Sequence, residues 1–215
     1  MQYRLVCFDL DGTLVDNTIF VWQTLHEYFQ TDRAKRRDAF EKAMRNEITY
    51  AEWFYGDLEL LRDRGATRDR ILDAIAPMRL MPGALKTLSA LKQRGHKLGV
   101  ISGGLEIVLD NLLPEHEFDH VLINKILFDD QGKIVGGVAT RFDMARKAAG
   151  LKMIAAQENI PLESCVFVGD NYNDISVMKA AGLGLAFNCK SEDLAQVADI
   201  VIGGEDLREI LKHIR

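Results

Sequence analysis

The stretch VCFDLDGTLVDN, residues 6–17, carries an apolar run that stops at two aspartates in alternate positions. The apolar and aromatic residues before Asp9 predict a buried strand. Because side chains two positions apart in an extended chain point to the same side, the carboxylates of Asp9 and Asp11 would repel each other. Two such carboxyls have raised pKa values unless a cation neutralises them, so the stretch predicts a functional site at the end of a strand.

The bulk composition is that of an ordinary globular protein, with 215 residues, 47% hydrophobic and 27% charged. This length suits one core with an insertion, or two small domains. The net charge of −5 argues against a nucleic-acid partner. Three separated cysteines without a CxxC pair argue against disulfides and zinc, and no apolar run is long enough to span a bilayer. We therefore expect a cytoplasmic protein with neither a nucleic-acid nor a membrane partner, of undetermined oligomeric state.

The pattern after Asp9 divides the chain into two parts. Four segments between residues 18 and 76 carry apolar residues at helical spacing, without a strand between them. Beyond residue 83, strands alternate with helices, which is typical of a parallel sheet covered on both faces. RFDMARKAAGLKMIAAQEN is expected to form one helix, and DLREILKHI a closing helix. The expected fold is an α/β, doubly wound parallel sheet with a core of residues 1–14 and 80–215 and a helical insertion over residues 15–79.

Three predicted strands end in polar residues that a parallel sheet would gather at one edge. The first ends at Asp9 and Asp11, KLGVI is followed by Ser102-Gly103-Gly104, and CVFVG is followed by Asp170. Oxygen ligands without softer atoms select a hard cation, and Mg²⁺ fits best. A hydroxyl and glycine amides suit a phosphate group, which a carboxylate can attack while a second one moves a proton. The pattern predicts phosphoryl transfer, for which a lysine should lie nearby.

Four motifs occur in a fixed order: DLDGT, VISGG, a lysine on the helix that starts near Arg141, and VGDNYNDISVMKAAG. In this order they resemble the haloacid dehalogenase (HAD) superfamily, and within it the phosphoserine phosphatase-like branch. The resemblance runs nearly end to end and implies a Rossmann-like core with an inserted helical cap of the C1 type. It also implies an Mg²⁺-dependent phosphomonoesterase that hydrolyses a small phosphorylated metabolite through an aspartyl-phosphate.

The resemblance assigns a role to each motif residue. Asp9 would be the nucleophile and a metal ligand, Asp11 the acid/base and a metal ligand through its carbonyl, and Asp170 the third metal ligand. Catalysis would also use Ser102 and the lysine. The residues expected to hold phosphate or substrate are Thr13, Ser102, Gly103, Lys147, Asn173, Met44 and Tyr50.

The identity of the lysine is an open choice between two positions. Lys147 has the family's distance to the GD motif and a leucine four residues later. Lys152 is the rival, because Gly150 interrupts the helix. Asp174 is expected to position whichever lysine is used.

The sequence departs from the family where phosphoserine would be recognised. The resemblance implies a Glu just after the first motif and an Arg in the cap, and these places hold Thr18 and Asp57. The ammonium of phosphoserine would lose its carboxylate partner, and its carboxylate would meet Asp57 and be repelled. The apolar contacts of Met44 and Tyr50 remain. We therefore expect phosphoserine to be a poor substrate.

Other functions fit parts of the pattern. A sugar or alcohol phosphate is an alternative substrate, and a phosphomutase would use the same core. A receiver-like phospho-accepting switch also places acids, a hydroxyl and a lysine at strand ends. The DxD spacing and the long helical insertion favour the phosphatase. HEFDH, residues 116–120, matches the zinc-protease pattern, but the strand pattern that follows indicates a chance match.

Overall fold

The computed structural model describes residues 2–115 and 118–214. Its strands are β1 (Leu5–Phe8), β2 (Val15–Asp16), β3 (Arg79–Leu80), β4 (Lys97–Leu105), β5 (His120–Phe128), β6 (Ile134–Val138), β7 (Cys165–Gly169), β8 (Leu183–Phe187) and β9 (Ile200–Ile202). Seven of them form one sheet in the order β6-β5-β4-β1-β7-β8-β9. All pairs in it are parallel except the β5–β6 hairpin. The predicted α/β fold with a parallel sheet is confirmed.

The helices lie in two groups along the chain. Four precede β3 and the rest follow it: α1 (Val21–Tyr28), α2 (Arg33–Met44), α3 (Tyr50–Asp63), α4 (Arg68–Ile75), α5 (Ala84–Gln93), α6 (Glu106–Leu112), α7 (Lys147–Gln157), α8 (Ile175–Met178) and α9 (Glu192–Val197). Among the helices of the described residues, none combines the length and apolar character that a membrane crossing needs.

The sheet has a hydrophobic core on each face, because successive residues of a strand point to opposite sides. In β1, Val6 and Phe8 join one buried cluster, while Leu5 and Cys7 join the other. All four are fully buried. A strand buried on both faces reads as a continuous apolar run, which explains the pattern before Asp9.

The first four helices leave the sheet directly after β1 and return to it before α5. At their base, β2 and β3 pair antiparallel, with Val15 opposite Leu80. Thr49 and Glu52 form a capping box at the start of α3, which fixes where this helix begins. This segment corresponds to the predicted insertion, whose boundaries at residues 15 and 79 stay a prediction.

The helical segment packs onto the β5–β6 hairpin. The Tyr55 hydroxyl donates to the carbonyl of Gly137 at 3.2 Å. Phe54 is 3% exposed and belongs to the same buried cluster as the sheet residues Val6 and Phe8. The segment therefore packs against the hairpin side of the sheet and shares its hydrophobic core.

Three local expectations differ from the structure. Residues 141–143 are not helical: a 3₁₀ turn, Met144–Arg146, leads into α7, and Met144 has a φ of 51° that no α-helix accommodates. The closing segment is a 3₁₀ helix, Leu207–Lys212. The pattern did not predict α9, which Ser191 caps by accepting from the Leu194 N–H. In HEFDH, residues 116 and 117 lie outside the described residues.

Candidate active site

β1 lies between β4 and β7 and runs parallel to both. The carboxyl ends of the three strands therefore lie at the same edge of the sheet. Phe8 is level with Val100 of β4 and with Val168 of β7. Asp9 follows β1 and Asp170 follows β7, so the register brings both carboxylates to the same place. Both are buried, at 3% and 1% exposure.

Lys147, the first residue of α7, supplies a buried positive charge at this edge. Its Nζ lies 2.9 Å from Asp9 Oδ2 and 2.7 Å from Asp174 Oδ1, and its side chain has no exposed surface. Burial opposes the charge, but the carboxylates of Asp174 and Asp9 outweigh it and raise the pKa of Lys147. The rival Lys152 lies five residues further along α7 and is exposed. The structure thus brings Lys147 to the site.

Asp174 connects the lysine to the loop that follows β7. Its Oδ1 accepts from Lys147, while its Oδ2 accepts from the backbone N–H groups of Asp170 and Asn171, at 3.0 and 3.2 Å. These bonds occupy both oxygens of Asp174. The arrangement fixes the loop that carries Asp170.

At the ends of β1 and β7, Asp11 Oδ1 and Asp170 Oδ2 have no hydrogen-bond partner among the described residues. Burial raises the pKa of Asp170 to about 9, with the carboxylates of Asp9 and Asp174 adding to the rise. Burial likewise raises the pKa of Asp11 to about 7, although a hydrogen bond from the Val21 N–H opposes it. Buried acids with unpaired oxygens are typical of a site built for a cation.

The loop after β1 is shaped around Asp170. Thr13 is fully buried, and its hydroxyl donates to Asp170 Oδ1 at 3.4 Å. Gly12 has a φ of +75°, and a Cβ at this position would overlap Asp170 Oδ2. Glycine is therefore required for both the backbone conformation and the close approach of the carboxylate.

The segment after Ile101 carries the predicted serine and glycines, and β4 continues through it. Ser102 is 1% exposed, and its Oγ accepts from the Gly104 N–H at 3.0 Å. The Gly103 carbonyl accepts from Trp22 Nε1 at 3.0 Å and from Asn124 Nδ2 at 2.7 Å. Side chains from the helical segment and from β5 thus hold this segment in place.

The acid/base candidate contacts the helical segment directly. Asp11 Oδ2 accepts from the Val21 N–H at 2.7 Å, and Val21 is the first residue of α1. The helix has no capping side chain of its own at Phe20. Asp11 therefore stabilises the start of α1 while its other oxygen remains unpaired.

A small cavity lies between the helical segment and this edge of the sheet. Its volume is about 40 Å³, and the described residues that line it are Trp22, Tyr50, Trp53, Phe54, Asp57 and Asp143. The Tyr50 hydroxyl accepts from Asn124 Nδ2 at 2.7 Å. Burial first, and then Asp143, raise the pKa of Tyr50 well above its usual value.

Of the remaining predicted residues, Asn173 lies at the site, whereas Met44 and Thr18 lie away from the cavity. Asn173 is 8% exposed, and its Nδ2 lies 3.5 Å from Asp143 Oδ1, so it faces the cavity side of the site. Met44 is 40% exposed at the end of α2 and is not among the described lining residues. Thr18 lines a separate depression beside Lys190. The roles of Met44 and Thr18 stay predictions.

Two residues of the site were not predicted from the sequence. Asn124 is fully buried, and besides its two donor bonds its Oδ1 accepts from the Thr140 N–H at 2.8 Å. Its signal was a lone amide in the apolar run of β5. Asp143 precedes the helix that carries Lys147, and a Cβ on Gly103 would overlap its carboxylate. Because an acid before a helix ordinarily indicates an N-cap, the sequence pattern did not identify Asp143 as a residue of the site.

Known proteins resemble this chain in sequence and in fold. The family model for haloacid dehalogenase-like hydrolases matches residues 3–182. The phosphoserine phosphatase of Methanocaldococcus jannaschii is 34% identical over 216 residues, which cover 99% of this chain and 98% of that protein. A solved structure described as a phospho-aspartyl intermediate analogue of phosphoserine phosphatase has 32% identity, a TM-score of 0.79 and full coverage of both chains.

Some relatives are longer than this chain. Phosphoserine phosphatase SerB2 of Mycobacterium tuberculosis is 35% identical over 212 residues, which cover 97% of this chain but 49% of the relative. The chain thus spans about half the length of that protein.

The chain belongs to the haloacid dehalogenase-like hydrolases, since the family model covers most of its length. The matches over the full length of both proteins place it in the phosphoserine phosphatase-like branch, as a phosphoric monoester hydrolase.

Proposed function

We propose that this chain is an Mg²⁺-dependent phosphatase that hydrolyses a small phosphomonoester with Asp9 as its nucleophile. The observation that carries the proposal is that two groups lie beside Asp9. One is the fully buried Lys147, and the other is the Asp170 carboxylate, which has an unpaired oxygen. A phosphate needs positive charge around its oxygens, and an attacking carboxylate needs its own charge partly neutralised.

The acidic side chains fit a hard divalent cation. One oxygen each of Asp9, Asp170 and Asp174 lies within 4.8 Å of the others. Asp174 is already occupied by Lys147 and two backbone N–H groups, so we assign the metal to Asp9, Asp170 and the Asp11 carbonyl. Oxygen ligands alone favour Mg²⁺. When bound, the ion would neutralise these carboxylates and part of the phosphate charge.

The protein's own residues carry the steps of the reaction. A carboxylate oxygen of Asp9 forms a bond to phosphorus while the bond from phosphorus to the leaving oxygen breaks, and Asp11 gives that oxygen a proton. Asp11 then takes a proton from a water molecule that attacks phosphorus, which frees Asp9 and releases inorganic phosphate. Lys147, the Ser102 hydroxyl and the Gly103 amide would hold the phosphate oxygens.

The place of Asp11 suits this acid/base role. Its Oδ2 is fixed by the Val21 N–H, and its Oδ1 has no partner among the described residues. One oxygen thus holds the carboxyl in position, and the other is available for a proton.

The substrate is the finer part of the proposal. The relatives from M. jannaschii and M. tuberculosis described above are phosphoserine phosphatases. Here Asp57, where we expect the family's arginine, lines the cavity at 5% exposure, and no arginine occurs among the described residues that line it. We therefore propose a phosphomonoester other than phosphoserine.

The location of the protein is a further part of the proposal. Cys7, Cys165 and Cys189 form no disulfide, which supports a reducing cytoplasm as the location of the protein.

The test is hydrolysis of an aryl phosphate such as p-nitrophenyl phosphate. We expect turnover that requires Mg²⁺, stops with EDTA and is lost in Asp9→Asn. Asp130→Asn, an exposed acid in the β5–β6 turn, is the matched control and should keep wild-type activity. Phosphorylation of one residue per chain without turnover would support the receiver-like switch and refute the phosphatase.

A further inference from the structure

The small cavity lies beside the segment proposed to hold phosphate. Trp22 lines the cavity and donates to the carbonyl of Gly103. Asp143 also lines it and approaches Gly103 so closely that a Cβ there would overlap its carboxylate. An alcohol group attached to a phosphate at Ser102 and Gly103 would therefore point into this cavity.

Asp57 places a buried carboxylate in the cavity wall. Its residue exposure is 5%, and its Oδ1 has no hydrogen-bond partner in the described part of the chain. Its nearest charged partner is His26, whose Nε2 lies at ion-pair distance, 3.0 Å from this oxygen. Since imidazole is not a permanent cation, it does not replace the lysine or arginine that a buried carboxylate usually requires.

Asp143 adds a second carboxylate on the side of the catalytic residues. It lines the cavity together with Tyr50, and Asn173 Nδ2 lies 3.5 Å from its Oδ1. Its charge also acts on Lys147, which already pairs with Asp9 and Asp174. A bound Mg²⁺ and a phosphate dianion largely offset each other, so the excess of negative charge around the cavity would remain.

The other walls of the cavity are aromatic. They consist of two tryptophans, a tyrosine and a phenylalanine, with Trp22 edge-on to Phe54 and Trp53 edge-on to Tyr50. Aromatic faces together with carboxylates attract an ammonium group by charge and by cation–π interaction. A volume of about 40 Å³ suits a small head group and not a sugar ring.

We infer that the substrate is the phosphate monoester of a cationic alcohol, whose amino group binds between Asp57, Asp143 and the aromatic rings. This inference rests on the proposed phosphatase function and names its substrate class. Asp57 and Asp143 act on specificity and do not take part in bond breaking.

The test compares phosphate esters of similar size that differ in charge. Phosphoethanolamine and phosphocholine carry a cation, 2-hydroxyethyl phosphate is neutral at the same place, and phosphoglycolate carries a carboxylate. We expect kcat/KM for the better cationic ester to exceed that for 2-hydroxyethyl phosphate at least tenfold, with phosphoglycolate lowest. Equal or better hydrolysis of the neutral or anionic ester would overturn the inference.

Variants of Asp57 test the assigned residue. Asp57→Asn should lower the ratio of kcat/KM for phosphoethanolamine to that for 2-hydroxyethyl phosphate at least fivefold, and Asp57→Arg should favour phosphoglycolate over phosphoethanolamine. Asp63→Asn, an exposed acid on the same helix, is the matched control and should leave the ratio unchanged. A ratio within one preparation is independent of how much protein folds. An unchanged ratio in Asp57→Asn would refute the role of Asp57.

Failure of this inference differs from failure of the proposed function. Hydrolysis of p-nitrophenyl phosphate with Mg²⁺ but without preference for the cationic esters removes the inference and leaves the phosphatase. Absence of Mg²⁺-dependent hydrolysis of every ester removes both.

Discussion

Replacing Lys147 by methionine would remove the buried charge and keep most of the side-chain volume. Lys147 has no exposed surface and pairs with Asp9 and Asp174 at 2.9 and 2.7 Å. Removing one partner of a buried ion pair costs about 3–5 kcal/mol, because the other charge is left without compensation. For a chain of this size, each kcal/mol lowers Tm by about 2–4 °C, so we expect a fall of about 6–20 °C.

Thermal unfolding followed by circular dichroism measures this effect, and urea unfolding gives the free energy of unfolding independently. The matched control is Lys152→Met on the same helix, whose side chain is exposed. It should change the free energy of unfolding by less than about 0.5 kcal/mol. If Lys147→Met were as stable as Lys152→Met, the buried lysine would not be the charge that holds Asp9 and Asp174 together.

Three further substitutions test other contacts. Burial opposes the charge of Asp119, but the N–H of Leu98 and two lysines outweigh it and lower the pKa to about 2. Asp119→Asn should therefore cost about 2 kcal/mol of unfolding free energy at pH 7. Because the pKa is lowered in the folded state, this difference should disappear as pH falls from about 4 to 2 in urea titrations. Gly12→Ala should displace Asp170 and lower kcat/KM on p-nitrophenyl phosphate at least ~100-fold, with melting temperature as the check on folding. Asn124→Leu should lower the free energy of unfolding by about 1–3 kcal/mol in urea, because buried groups lose their partners.

The catalytic edge of the sheet could be predicted from the sequence because its signals are local. Asp9 and Asp170 each follow directly on an apolar strand, and the order of strands and helices predicts that such ends meet. Lys147 needed the additional constraint of its distance to the GD motif. For these three residues, the distance along the chain from a predicted strand or motif was enough to predict that they lie at the site.

The cavity could not be predicted in the same way, because its walls depend on how helices and loops pack. Asn124 reaches Gly103 only through the pairing of β4 with β5. Asp143 reaches the site because the chain does not become helical before Met144. The exposure of Met44 follows from where α2 ends, which apolar spacing does not determine to within a residue.

The central claim is that Asp9 carries the phosphoryl group during turnover. The most direct measurement is rapid acid quenching of the enzyme with Mg²⁺ and p-nitrophenyl phosphate, followed by peptide mass analysis. We predict one phosphoryl group on the peptide that contains Asp9, formed and lost at rates that match steady-state turnover. A phosphoryl group on another residue, or undiminished turnover by Asp9→Asn, would contradict the claim.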